Sequence, residues 1–129
     1  KGECTLIKNI IFDMGGVLIV WDPVRMLNQL HLSEADNELL NRELLRLETS
    51  LKAAGEREKL CFLHYPPLYQ GYQCPEILSM LETYKVELCC YGHLHGASHR
   101  RAIEGMWDGT EFSLVSADYL KFVPKKICE

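Results

Sequence analysis

The chain has no apolar run approaching the roughly 18 residues that a bilayer-spanning helix needs, so no membrane partner is expected. It has no basic excess either. Of its 129 residues 14 are Lys or Arg and 18 are Asp or Glu, giving a net charge of −4, so nucleic acid and anionic lipid are not expected partners. Its 6 cysteines include no Cys-x-x-Cys pair. Cys61, Cys89 and Cys90 fall inside apolar runs, where cysteine acts as a small hydrophobe, so a disulfide framework is not expected and a reducing, cytoplasmic setting is. Internal repeats and low-complexity stretches are absent. The chain opens Lys1-Gly2-Glu3-Cys4, without an initiator Met or the layout of a signal peptide, which leaves open where the natural amino terminus lies.

What is present is the length of one ordinary domain and two strands that each end in histidine. The residues 86–90 read as a short buried strand and run into Tyr91-Gly92-His93-Leu94-His95-Gly96. Glycine on each side of the His-x-His permits a sharp turn and a close approach to the main chain. Imidazole is the commonest side-chain metal ligand near neutral pH, although a lone His-x-His is more often a pair of polar loop residues. Upstream, Lys59-Leu60-Cys61-Phe62-Leu63 reads as a second buried strand ending in His64, and Pro66-Pro67 forbids its continuation. Both strands then deliver histidine at one carboxyl edge of a sheet, where open α/β sheets place their ligands.

With His64 and Pro66 as a His-x-Pro element and Gly92, His93 and His95 as a Gly-His-x-His element, residues 41–129 resemble the carboxyl-terminal half of a calcineurin-like metallophosphoesterase. The tail from Leu114-Val115-Ser116-Ala117-Asp118 to Pro124-Lys125-Lys126-Ile127 is similar to the end of bacterial members. The resemblance implies a partial metallophosphoesterase-type α/β sheet flanked by helices and hydrolysis of a phosphoester substrate. It implies His64, His93 and His95 as ligands of divalent metal (Mn, Fe or Zn). The family's early Asp-x-His, Gly-Asp and Gly-Asn-His motifs are missing, and with them the bridging carboxylate. Three neutral imidazoles supply no charge to offset two dications, which argues against a dinuclear site, whereas one ion on three histidines is chemically sound. Tyr65 and Tyr69 are candidates to line a substrate mouth, against the alternative that they and Tyr72 cover the edge of the core.

The amino-terminal residues 1–40 carry a different resemblance. An apolar strand over 6–12 ends in Asp13-Met14-Gly15-Gly16-Val17-Leu18, followed by Trp21-Asp22-Pro23, and this is similar to the opening of a haloacid dehalogenase-like hydrolase. That family would make Asp13 the nucleophile of a Mg²⁺-dependent phosphatase. Gly15 stands where many members have a second Asp, and the alternative for Asp13 is a strand-end residue that caps a turn. The chain thus looks chimeric, an amino-terminal strand and helices added to half of a metallophosphoesterase, either as two units or packed as one. The two meet near 36–43, inside what reads as one helix from 33 to about 54, with Leu40, Leu44, Leu47 and Leu51 as its apolar stripe and Gly55 as its stop. If the amino-terminal strand replaces the lost first strand, Asp13 stands in for the missing metal-binding carboxylate. A third reading is a non-catalytic remnant that covers its apolar edges by forming a homo-oligomer. Further on, a short helix from Asp22, a helix over 75–84, a strand over 99–104, an Asp108-Gly109 hairpin turn and a strand over 110–116 are expected.

Overall fold

A computed structural model describes residues 10–12 and 34–127 of the chain. Asp13, Gly15 and the short helix expected from Asp22 lie outside the described residues. Among the described residues the chain forms a sheet of five strands in the order β1 (Ile10–Phe12), β2 (Leu60–Leu63), β5 (Leu88–Tyr91), β7 (Thr110–Leu114) and β6 (Gly105–Trp107), flanked by helices, with a separate two-stranded hairpin. The class is α/β, as the sequence implies.

The strand β1 (Ile10–Phe12) is the part of the expected 6–12 strand that is described. It pairs in parallel with β2 (Leu60–Leu63), Phe12 facing Phe62. The helix α1 (Glu34–Ala54) joins them and runs unbroken across residues 36–43, where the two resemblances meet. Leu51 is wholly buried, Leu44 and Leu47 are half-buried, and Leu45 faces outward, so the apolar stripe lies against the sheet. Gly55 ends the helix with φ +61°, a left-handed stop for which glycine has no Cβ penalty.

Beyond β2 the chain makes a small hairpin of β3 (Leu68–Tyr69) and β4 (Tyr72–Gln73), turning at Gly71 with φ +87°. The sequence pattern reads here only as an aromatic loop, because two-residue strands leave no periodicity to see. The helix α2 (Pro75–Thr83) follows, with proline at its first position, and buries Leu81. It carries the chain back to β5 (Leu88–Tyr91), which lies parallel to β2 with Leu63 facing Tyr91.

After β5 the structure departs from the expected strand over 99–104. Residues Gly96–Arg101 form a 3₁₀ helix, and the strand β6 is only Gly105–Trp107. Hydrogen bonds that the local sequence does not announce close those turns. Ser98 donates from both its backbone N–H and its hydroxyl to the His95 carbonyl, and the Ala102 N–H donates to the His99 carbonyl. The expected hairpin is present: Asp108 and Gly109 have φ +45° and +84°, the positive values a primed turn needs, and β7 (Thr110–Leu114) returns antiparallel to β6. β7 is also parallel to β5, with Leu114 facing Tyr91.

The core is made by the buried side chains of both helices and the central strands, among them Leu51, Leu81, Cys61, Cys89, Tyr91, Phe112 and Leu114. Tyr91 is wholly buried, and its hydroxyl donates to the Ile103 carbonyl at 2.6 Å, which satisfies a polar group that would otherwise be costly there. Among the described residues Cys61, Cys74, Cys89 and Cys90 are buried free thiols. No helix among the described residues is long and apolar enough to cross a membrane.

Cys74 carries a testable consequence. Burial first, then the nearby Glu76 carboxylate, pushes its thiol up to about 11 from an ordinary 9.0, despite opposing backbone N–H groups. Folded protein therefore holds a proton there that unfolded protein gives up, so stability falls as pH climbs from about 9 toward about 11. At pH 8 native Cys74 is expected to resist iodoacetamide and to react once the chain is unfolded in urea, read by mass spectrometry of the Cys74 peptide. Equal labelling of native and unfolded protein would refute this.

Candidate metal centre

Three parallel strands end together, and each exit carries a residue able to bind a cation or a proton. β2 passes into His64, β5 into Gly92, His93 and His95, and β7 into Asp118. Hydrogen bonds lock the first two exits. The Gly92 N–H is shared between the carbonyls of Leu63 and His64, at 3.3 and 3.1 Å, so the turn carrying His93 is tied to the backbone of His64. Gly92 also lies against that backbone: a Cβ here would meet the His64 carbonyl oxygen at 3.6 Å, an ordinary contact. Close approach is therefore used here without being strictly required.

His93 has φ +64°, in the left-handed region that non-glycine residues rarely adopt. Backbone of this kind persists where surrounding structure holds it, and it clusters at functional sites. It brings the His93 ring to 5.4 Å from that of His64, centroid to centroid, and to 4.1 Å from that of Tyr65. Tyr65 meets His64 edge-on at 4.7 Å, so these three rings form one cluster at the carboxyl edge. Partial burial, then the neighbouring His64 and His95, holds His93 below its ordinary value, which favours the neutral imidazole that binds metals.

His95 is 62 % exposed at its side chain, and its Nδ1 lies 2.8 Å from Oδ1 of Asp118. The Gly96 N–H donates to Oδ2 of the same carboxylate at 2.9 Å, and the Tyr119 N–H to Oδ1 at 3.0 Å. His99 Nε2 stands 3.1 Å from Oδ2 but is off line for a hydrogen bond. The Gly96 N–H above all, helped by His95 and His99, holds Asp118 well below the usual carboxylate range.

Of the expected site residues, His64, His93 and Tyr65 come together. His95 follows in the same turn, and its ring is engaged by Asp118. Tyr69 goes elsewhere: it is 8 % exposed, stacks on Tyr72 at 5.1 Å, and lies under the Arg101 guanidinium at 4.8 Å. That is the core-edge role weighed against the substrate mouth. Among the described residues no group of three or more His, Cys, Asp or Glu side chains is arranged to close around a metal ion. The described donor set is a pair. Two imidazoles bound to one ion at about 2.1 Å, with a tetrahedral angle between them, would place their ring centroids about 5 Å apart, and His64 and His93 meet that spacing at 5.4 Å.

No protein-family model matches the chain, and neither a curated protein nor a solved structure matches it.

Proposed function

We propose that the chain is a divalent-metal-dependent phosphoester hydrolase of calcineurin-like type, with His64 and His93 as a ligand pair and His95 as the third histidine of the centre. The observation that supports it is the 5.4 Å spacing of the His64 and His93 rings at the carboxyl ends of adjacent parallel strands. A bound Mn, Fe or Zn ion would supply polarisation of a phosphoryl oxygen and an acidified water. The chain's own residues hold His93 neutral, fix its turn through Gly92, and wall the site with the Tyr65 ring. The reading takes one ion rather than two, because the histidines bring no charge to balance a second.

The pairing of β1 with β2 adds weight to a role for Asp13, since the amino-terminal segment then shares the sheet that carries His64. Asp13 would complete the ligand set or, on the dehalogenase-like alternative, act as nucleophile with Mg²⁺. Elemental analysis of protein purified without chelator or affinity tag tests both readings. About one Mn, Fe or Zn per chain is expected, lost in His64→Ala and reduced in Asp13→Ala. Hydrolysis of p-nitrophenyl phosphate that survives His93→Ala, requires Mg²⁺ and vanishes in Asp13→Asn would replace the first reading by the second. A folded chain that takes up no metal and turns over nothing would leave the non-catalytic oligomer.

A further inference from the structure

We infer that Asp118 is the positioning residue of His95: its carboxylate holds the proton on Nδ1 and so leaves the lone pair on Nε2 for a cation. The hydrogen bonds carry this. Oδ1 accepts from the Tyr119 N–H at 3.0 Å and Oδ2 from the Gly96 N–H at 2.9 Å. With a backbone donor on each oxygen, the group serves as an ionised acceptor, as an Asp carboxyl is at neutral pH. The nitrogen 2.8 Å from Oδ1 must then be the donor, and that nitrogen is Nδ1 of His95. In neutral imidazole one nitrogen donates and the other accepts, so Nε2 is the acceptor.

The fold brings Asp118 to this place by register. Tyr91 faces Leu114 across β5 and β7, and the Val115 N–H donates to the Tyr91 carbonyl, so the two exits leave the sheet in step. His95 follows Tyr91 at the same interval as Asp118 follows Leu114. Hydrogen bonds then fasten the Asp118 loop: the Lys121 N–H donates to the Asp118 carbonyl and the Phe122 N–H to that of Ala117. Glu104 braces it, accepting the Tyr119 hydroxyl on one oxygen and the Leu114 N–H on the other. His95 itself has extended backbone, and its carbonyl is held by Ser98, so both ends of the residue are fixed. A ring this exposed would otherwise have to be ordered by the ion itself, and outer partners that orient a ligand commonly carry 10- to 100-fold in affinity.

The purpose of this arrangement rests on the metal reading above, whereas the tautomer does not. Nitrogen-15 NMR of histidine-labelled, metal-free protein is expected to show His95 with the proton on Nδ1. In Asp118→Ala, a mixture of tautomers is expected at His95, with His64 and His93 unchanged. Zn²⁺ titration by calorimetry is expected to show about 10- to 100-fold weaker binding in Asp118→Ala, with no further loss when the same change is made in a His95→Ala background. An unchanged His95 tautomer in folded Asp118→Ala would overturn the inference, and so would an equal loss of affinity in the His95→Ala background, which would mark Asp118 as a residue of the fold. If Asp118→Ala unfolds, Asp118→Leu, which fills the space and offers no acceptor, answers the same NMR question. If the wild-type chain binds no Zn²⁺ while the tautomer depends on Asp118, the positioning stands and the metal reading falls.

Discussion

If the chain is the metal-dependent hydrolase proposed above, His93→Gly is expected to leave it folded and to abolish its binding of a divalent ion. The two effects separate because of the backbone. His93 sits at φ +64°, where a side chain costs on the order of 1–2 kcal/mol, and glycine removes that cost. Glycine also gives the unfolded chain more freedom, which lowers stability by up to about 1 kcal/mol, so the two changes oppose each other and the net shift should stay within about 1 kcal/mol. Removal of the proposed ligand has no such offset. Loss of an outer partner typically weakens a metal site by about 10- to 100-fold, and loss of the ligand itself should exceed that. Urea unfolding and elemental analysis of one preparation read both numbers. Retained metal would remove His93 from the centre, and a collapsed fold would mean that the ring cluster with Tyr65 and His64 holds the turn in place.

The largest expected loss of stability is at Phe112. It is 1 % exposed on β7, between β5 and β6, with Cys89 and Gly105 as its facing residues. Truncation to alanine leaves a cavity in a sheet whose backbone hydrogen bonds limit collapse around it. Such changes cost about 3–5 kcal/mol, a large share of the roughly 5–15 kcal/mol that holds a domain of this size together. Met106→Ala on neighbouring β6 is the control: that side chain is 69 % exposed, and its removal should shift stability by no more than about 0.5 kcal/mol. The midpoint of urea unfolding, with its slope, separates the two. A Phe112→Ala midpoint within error of wild type would mean that β7 is not central to the core.

The placement of His64 and His93 at the ends of adjacent strands was legible in the sequence because local chemistry marks it. Each follows a short apolar run, and prolines or glycines end the strand beside it. The helix over Leu40, Leu44, Leu47 and Leu51 and the Asp108-Gly109 turn were legible for the same reason, since periodicity and positive φ are written in neighbouring residues. Asp118 was not. It lies 23 residues from its partner His95, and its role exists only because β7 runs parallel to β5 in register. The one local signal was a carboxylate just past a strand. The 3₁₀ helix over Gly96–Arg101 was hidden likewise, because the Gly96 N–H takes its acceptor from that distant carboxylate. Tyr69 shows the reverse limit: an aromatic in a polar loop gives no sign of whether it faces a ligand or the core.

The pairing order of the strands also governs the sequence of assembly. The β6–β7 hairpin forms between neighbours, so its loop closes cheaply and soon. β5 must find β7 across the 3₁₀ helix, β2 must find β5 across α2, and β1 must find β2 across the whole of α1. On the ribosome these demands run against the direction of synthesis: β1 is made before α1, its partner emerges only after α1 is complete, and the local hairpin follows later still. The nascent chain therefore carries an unpaired apolar strand through the whole synthesis of α1, and the yield of folded protein depends on that strand being kept from other partners until Leu60–Leu63 arrives.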